Sequence, residues 1–393
     1  VTMEENAPFA AQVFKTVIDP YSGKLSYLKS FRGTLKSGST VWNANTEQEE
    51  RIGQVYLLRG KKMEPVDELA AGDIGAVNKL GNTNTGDTLT WNTDFQYMPI
   101  EFPQAFLAQA MIPCTAADES KISQAISRMT EEDRTIRCEN DAETKEFVVY
   151  GMGDMHLAVL ASRLKARFGV NVRFDKPRIP YREKITKPCD VEGRHKKQNG
   201  GSGQFGHVKI RFAPAEDEGL TFSVSVVGGT VPKNFYPAVE KGIQEAVQKG
   251  PLAGYPMVGL KAVLYDGSYH PVDSNEMAFK LAAILAYKEA MPKANPTLLE
   301  PVGALAVTVP EDYVGDVMGD LSKRRGRPMG MNPDADGNTV IEAEVPMAEM
   351  STYAIDLRAM TQARGSFTLT FERYEEVPKQ NQAKIIADAK NED

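Results

Sequence analysis

Two stretches of the chain, residues 98–176 and 298–377, spell the same order of elements without sharing a sequence, and that order leaves few folds open. In the first, residues 105–111 read as a strand. Residues 118–129 then place Ile122, Ala125, Ile126 and Met129 on one helical face, with Asp118 and Glu119 at the positive end of the helix dipole. Strands at 135–139 and 146–150 follow. A helix from Asp154 carries Leu157, Leu160, Ala161, Leu164 and Phe168 on one stripe, and residues 170–174 close the unit. In the second, 304–309 is a strand and Pro310 starts a helix that carries Val314, Val317, Met318 and Leu321. Asp336-Gly337 turns between two strands, a helix over 348–362 carries Tyr353, Leu357 and Met360, and 366–374 closes. Strand-helix-strand-strand-helix-strand is the split-βαβ sandwich, so both segments are predicted to be ferredoxin-like.

The rest of the 393 residues divides around them. Residues 1–97 show short strands broken by turn residues and no helical periodicity, the pattern of an all-β barrel or sandwich. Residues 177–297 mix strands at 208–212, 221–227 and 259–265 with a helix over 236–249. A long helix follows Asp273, which has Glu276 three residues later and is read as its capping box. Residues 378–393 form an acidic, alanine-rich tail, expected to be a frayed helix or disordered. With 41% apolar and 25% charged residues the chain is globular in composition, so the fold class is multidomain α+β. No apolar run approaches a membrane span and the first residues lack a signal-peptide pattern. Cys114, Cys138 and Cys189 are odd in number and unpaired in spacing, which points to reduced thiols and away from a metal site.

Gly201-Ser202-Gly203-Gln204-Phe205-Gly206 satisfies G-x-G-x-x-G, the dinucleotide fingerprint. Its context does not. Residues 194–199 are too polar for a central parallel strand, and 207–212 alternates like a half-solvated strand where a helix is required. The kinase alternative lacks H-R-D and D-F-G, and G-x-x-x-x-G-K-[ST] is absent, so the chain is not expected to hydrolyse a nucleotide on its own. What remains is a glycine hairpin tip among cations. His156, His195, His207 and His270 are scattered without a metal-ligand spacing.

Net charge is −7, so attraction to nucleic acid has to come from local patches. One cluster is Arg194, Lys196, Lys197, Lys209 and Arg211, with no acid between Arg194 and Lys209; it reads either as a phosphate-backbone contact or as a solvated hairpin. The other, Lys323-Arg324-Arg325-Gly326-Arg327, ends a helix, where cations also complement the dipole. His270 stands in a polar loop, and the glycines of residues 151–157 are read as a strand-to-helix turn with His156 packed beside it.

Residues 198–208, the loop from Gly267 through Ser268-Tyr269-His270 to Glu276, residues 250–256 and residues 319–326 together resemble bacterial elongation factor G. The likeness runs in family order from Pro8 to Pro378. It implies a translation-factor β-barrel (domain II, 1–97) and ferredoxin-like domains III (98–176) and V (298–377). Between them it implies an elongated mixed α/β domain IV (177–297) that enters the ribosomal decoding site, with 378–393 as a tail. The resemblance also implies a longer parent, a GTP-driven translocase whose N-terminal domain holds GTP and magnesium; the present chain looks like domains II to V, with no cofactor or metal of its own. Its implied partner is the ribosome: rRNA of both subunits, with tRNA and mRNA at the decoding site. A cytoplasmic monomer with no membrane attachment is expected. On this resemblance Arg194, Lys196, Lys197, Gln198, Asn199, Gly200, Gly201, Ser202, Gly203, Gln204 and His270 meet nucleic acid at the tip, while Lys323, Arg324, Arg325 and Arg327 face large-subunit rRNA. Where the family tip reads Q-S-G-G-R-G-Q, this chain has Asn199 and Ser202, one cation fewer, and it departs again at Asp154 and Met155. Those departures leave open whether the parent is the main factor or a close elongation factor G-like paralogue with a different balance of translocation and ribosome recycling. Two other readings share some features. A ribosomal protection factor has this architecture but lacks the glycine tip and histidine loop, and an RNA-binding scaffold would carry no GTPase activity.

Overall fold

Inward-facing side chains along residues 10–90 come from strands at both ends of one sheet, and this forces the sheet to curl. The computed structural model describes residues 6–19, 23–60, 62–91, 95–197 and 203–392. Its first sheet runs in the order Gln48–Arg51, Thr40–Asn43, Thr88–Thr90, Ala10–Asp19, Gly23–Arg32, Ile74–Asn78, Val55–Arg59, Lys62–Val66. Neighbouring strands are antiparallel. Val41 near one end and Val55 near the other share a core with Phe9, Val13, Leu28 and Leu89. Leu35 and Leu69, from the small ribbon Leu35–Lys36 and Glu68–Leu69, complete it. Two edges that meet in one interior are what a barrel requires.

The chain divides into two compact units, Val1–Arg178 with Ser351–Ala359, and Ile179–Met350 with Met360–Asp393. In the first, the barrel-like sheet is followed by a second sheet ordered Arg137–Asn140, Phe147–Gly151, Leu107–Pro113, Val172–Asp175, all antiparallel. Helices Ala116–Glu132 and Asp154–Phe168 lay Ile122, Ile126, Met129, Leu157, Leu160 and Leu164 onto it, as the 3.6-residue spacing predicts. The first of these helices begins at Thr115, whose hydroxyl accepts the Asp118 N–H. The Asp118 carboxylate in turn accepts the Asn171 N–H at 2.9 Å, the main reason its pKa is lowered.

In the second unit a four-stranded sheet runs Cys189–Lys197, Gln204–Pro214, Leu260–Ser268, Leu220–Val224, with only the last pair parallel. Helices Tyr236–Ala246 and Glu276–Lys293 cover it, and Phe212, Val239, Phe279, Ala282 and Tyr287 form its core. The five-stranded C-terminal sheet is centred on Pro296–Val309, flanked by Ser366–Glu376 and Thr339–Pro346, with Arg327–Pro333 beyond. Strand Arg182–Ile185 pairs with residues 296–299 of this sheet. Its Glu183 is fully buried and accepts backbone N–H groups of Leu252 (2.8 Å), Ala253 (2.9 Å) and Tyr255 (3.2 Å).

Two expectations need correction. The central strand begins at Pro296, not at 304, and a register shift at Val302/Gly303 accommodates Pro301 and Gly303 within it. The helix read over 348–362 is a 3-10 turn, Met347–Glu349, and a separate helix, Tyr353–Met360. The Thr352 carbonyl accepts the Ile355 and Asp356 N–H groups where the second piece starts, its hydroxyl donates to the Asp356 carboxylate at 2.7 Å, and Gln362 and Ala363, both at positive φ, follow its end. Of the two alternatives for the tail, the helix holds: it runs over Lys379–Glu392, and the Gln382 side chain ties it to Thr297 and the Val377 carbonyl.

Candidate nucleic-acid interface

The basic hairpin is built by pairing Lys197 with Gln204, Lys196 with Phe205, His195 with Gly206 and Arg194 with His207. Gln198, Asn199, Gly200, Gly201 and Ser202 lie outside the described residues. The described glycines explain the apparent nucleotide fingerprint. A Cβ on Gly206 would stand 2.3 Å from the Ala278 carbonyl oxygen, and one on Gly193 2.1 Å from that of Ala282. Both strands therefore lie directly on the backbone of helix Glu276–Lys293. These glycines serve strand-on-helix packing and leave no room for a phosphate between strand and helix.

Two segments converge at the end of this hairpin. The Gly203 N–H donates to Asp273 Oδ1 at 3.1 Å, and the Phe205 N–H donates to the Asp273 carbonyl at 2.8 Å. Ser274 Oγ donates to the Phe205 carbonyl and accepts the His270 N–H, both at 2.8 Å. His270 Nδ1 accepts the Asp273 N–H at 3.2 Å, and its ring lies 6.4 Å from that of Phe205. Asp273 is thus not the helix cap. That role belongs to Asn275, whose Oδ1 accepts the Ala278 N–H at 2.8 Å. Asp273-Ser274-Asn275 offers three capping side chains in a row, and spacing alone does not choose among them.

The cations sort into two kinds. Lys196 and Lys197 are exposed and have no partner among the described residues, and Arg194 lies over the Phe205 ring with its guanidinium carbon 5.6 Å from the centroid. Lys209 instead pairs with Asp266 at 2.8 Å, and Arg211 holds Asp190 through two bonds of 2.7 and 2.8 Å. The hydrogen bond from Lys209 is the largest reason that the Asp266 carboxyl falls to about 2. Sequence distance hid these acids, which reach the cations from paired strands. His195 Nε2 and Gln204 Oε1 lie 2.9 Å apart, and His207 sits between Ser268 Oγ (2.7 Å) and Glu192 Oε1 (2.9 Å).

In the C-terminal cluster Lys323 is exposed and has no partner among the described residues. Arg324 donates to Asp320 (2.7 Å) and to the Glu349 carbonyl (2.8 Å). Arg325 grips Glu300, 3% exposed, with bonds of 2.6 and 2.8 Å, and reaches Glu349 at 3.0 Å. Its φ of 61° is the left-handed helix-ending conformation usually given to glycine. Arg327 is half exposed and pairs with Glu375 (2.7 Å) and Glu344 (3.0 Å). Among the described residues no group of three or more His, Cys, Asp or Glu side chains converges as a metal site, and no helix is long and apolar enough to cross a membrane.

Comparison with known proteins covers almost the whole chain. Residues 8–92 match the family model for elongation factor G domain 2, 102–176 that for domain III, 177–295 that for domain IV, and 297–385 that for the elongation factor G C-terminus. A crystal structure of a protein from Thermus thermophilus is similar at 38% identity and a TM-score of 0.78 over 98% of this chain. The chain spans 58% of that protein's length. With all four regions matched in family order, the chain belongs to the elongation factor G family.

Proposed function

We propose that this chain is the ribosome-docking part of a translational GTPase, and that its tip hairpin accompanies tRNA and mRNA as they are translocated. The observation that carries the proposal is the state of Lys196 and Lys197, exposed at the strand end and without partners among the described residues. On a chain of net charge −7 such free cations supply the local attraction that a phosphate backbone requires. Arg194 over Phe205 and the exposed His270 extend the same surface. In this reading Lys323, with Arg327, faces large-subunit rRNA. Arg324 and Arg325 contribute by holding that helix end in shape. GTP and magnesium belong to a GTPase domain of the parent factor, which works in the cytoplasm as a monomer, with ribosome recycling as a further task.

The test is Lys196→Glu with Lys197→Glu in the full-length factor, followed by single-round translocation at several salt concentrations. Translocation should slow, and the log-log salt slope should flatten by roughly one unit per lost phosphate contact. Unchanged rates with an unchanged slope would reduce the hairpin to a solvated face.

A further inference from the structure

The sequence assigned Asp273 to a helix that it does not cap, and Ser274 had no assigned role. Both are spent on one task. Gly203 and Phe205 lie on the outgoing arm of the hairpin, and His270 lies in a loop about seventy residues later in the chain. Asp273 and Ser274 join the two with four hydrogen bonds: Gly203 N–H to Asp273 Oδ1, Phe205 N–H to the Asp273 carbonyl, Ser274 Oγ–H to the Phe205 carbonyl, and His270 N–H to Ser274 Oγ. The fit is close on the hairpin side. A Cβ on Gly203 would approach the Asp273 carboxylate carbon to 2.8 Å, so the glycine there makes room for the aspartate. On the loop side, His270 Nδ1 faces the Asp273 N–H at 3.2 Å and Asp273 Oδ2 at 3.4 Å, so the ring is held against this turn with its other edge exposed.

We infer that Asp273 and Ser274 are positioning residues: they lock the hairpin and the His270 loop into one rigid surface, so that both meet nucleic acid at a fixed separation. This rests on the reading of the tip as the part that meets tRNA and mRNA. Neither side chain is required to touch nucleic acid itself. Fixed geometry of this kind acts on the rate of a step more than on affinity, because displacement of a contacting group by about 1 Å can cost up to about a hundredfold in rate.

The experiment uses the full-length factor with Asp273→Ala, Asp273→Asn and Ser274→Ala. Single-round translocation at saturating factor should fall about tenfold in Asp273→Ala and by a smaller factor in Ser274→Ala. The factor concentration at half-maximal rate and ribosome-stimulated GTP hydrolysis should not change. Asp273→Asn keeps Oδ1 as an acceptor for Gly203 and should restore most of the rate. Melting temperatures should stay within about 3 °C of the parent. Full translocation rates in both alanine variants would overturn the inference. So would a slowed Asp273→Ala variant that Asp273→Asn fails to rescue, or one whose slowing follows a loss of melting temperature.

Amide hydrogen exchange reads the latch without reference to translocation. The Gly203 amide should exchange at least about tenfold faster in Asp273→Ala, and the His270 amide in Ser274→Ala, as expected when a local hydrogen bond is removed. Unchanged exchange at both amides would show that no latch exists. A full-length protein that moves no tRNA while these amides respond would sink the functional reading and keep the latch.

Discussion

The two basic clusters of this chain read alike as sequence, yet each divides into free and paired cations, and the free ones dominate the strand end while the paired ones dominate the helix end. At the hairpin, Lys196 and Lys197 project from a strand end with no partner among the described residues. At the C-terminal helix end, Arg324, Arg325 and Arg327 each hold carboxylates of their own domain, one of them nearly sealed from solvent. Side-chain chemistry explains part of the division, because a planar guanidinium matches a carboxylate with two parallel bonds and tolerates partial burial, as Arg325 does on Glu300; Lys209 is paired because Asp266 stands beside it on the neighbouring strand. A run of like charges therefore shows only that a surface is basic. Which of its members are free for a partner depends on acids that arrive from other strands.

The contrast can be broken first at Arg325. Arg325→Ala leaves the Glu300 carboxylate buried and uncompensated, and should lower unfolding free energy by about 3 kcal/mol or more in denaturant titration. Arg325→Gly relieves the left-handed backbone and separates the two contributions. If it proves as stable as the parent, backbone strain and not the ion pair governs the site. Next comes Gly206→Ala, which sets a methyl against the Ala278 carbonyl and should cost about 2 kcal/mol, showing that glycines rather than lysines seat the hairpin. Arg324→Ala should cost about 1 kcal/mol, since Asp320 is less buried than Glu300 and can be rehydrated.

The Lys209–Asp266 pair sharpens the comparison through pH. Asp266 titrates near 2 when folded against about 3.9 in a model peptide. Its contribution to stability is fully present above the unfolded value and is lost as pH falls through the folded one. An acid titration between pH 4 and 2 should therefore be less steep in Lys209→Met, which removes the largest cause of the lowered value and leaves the Gly267 and Thr230 hydrogen bonds; identical profiles would show the pair to be inert. Lys196→Ala with Lys197→Ala has the smallest expected effect on stability, under about 0.5 kcal/mol in thermal unfolding. A larger loss would mean that these lysines have structural partners after all.

Much of the fold was legible because burial imposes a period. Ile122, Ala125, Ile126 and Met129 face the core as their spacing requires, and the alternation along 207–212 marks a true strand. Polar roles were not legible to the same degree. Three capping residues stand together at 273–275, and only the path of the hairpin decides that Asn275 takes the helix while Asp273 and Ser274 turn to Gly203 and Phe205. The partners of Lys209, Arg211 and Arg325 lie 57, 21 and 25 residues away along the chain, beyond the reach of any local pattern.

Glu183 gives the second unit a mechanical property. Its strand is stitched into the C-terminal sheet, while its carboxylate is held by the 252–255 backbone beneath the tip domain's helices, so one residue belongs to two bodies at once. Parting the two would mean giving up three hydrogen bonds from the 252–255 backbone to a fully buried carboxyl group together with the pairing of its strand.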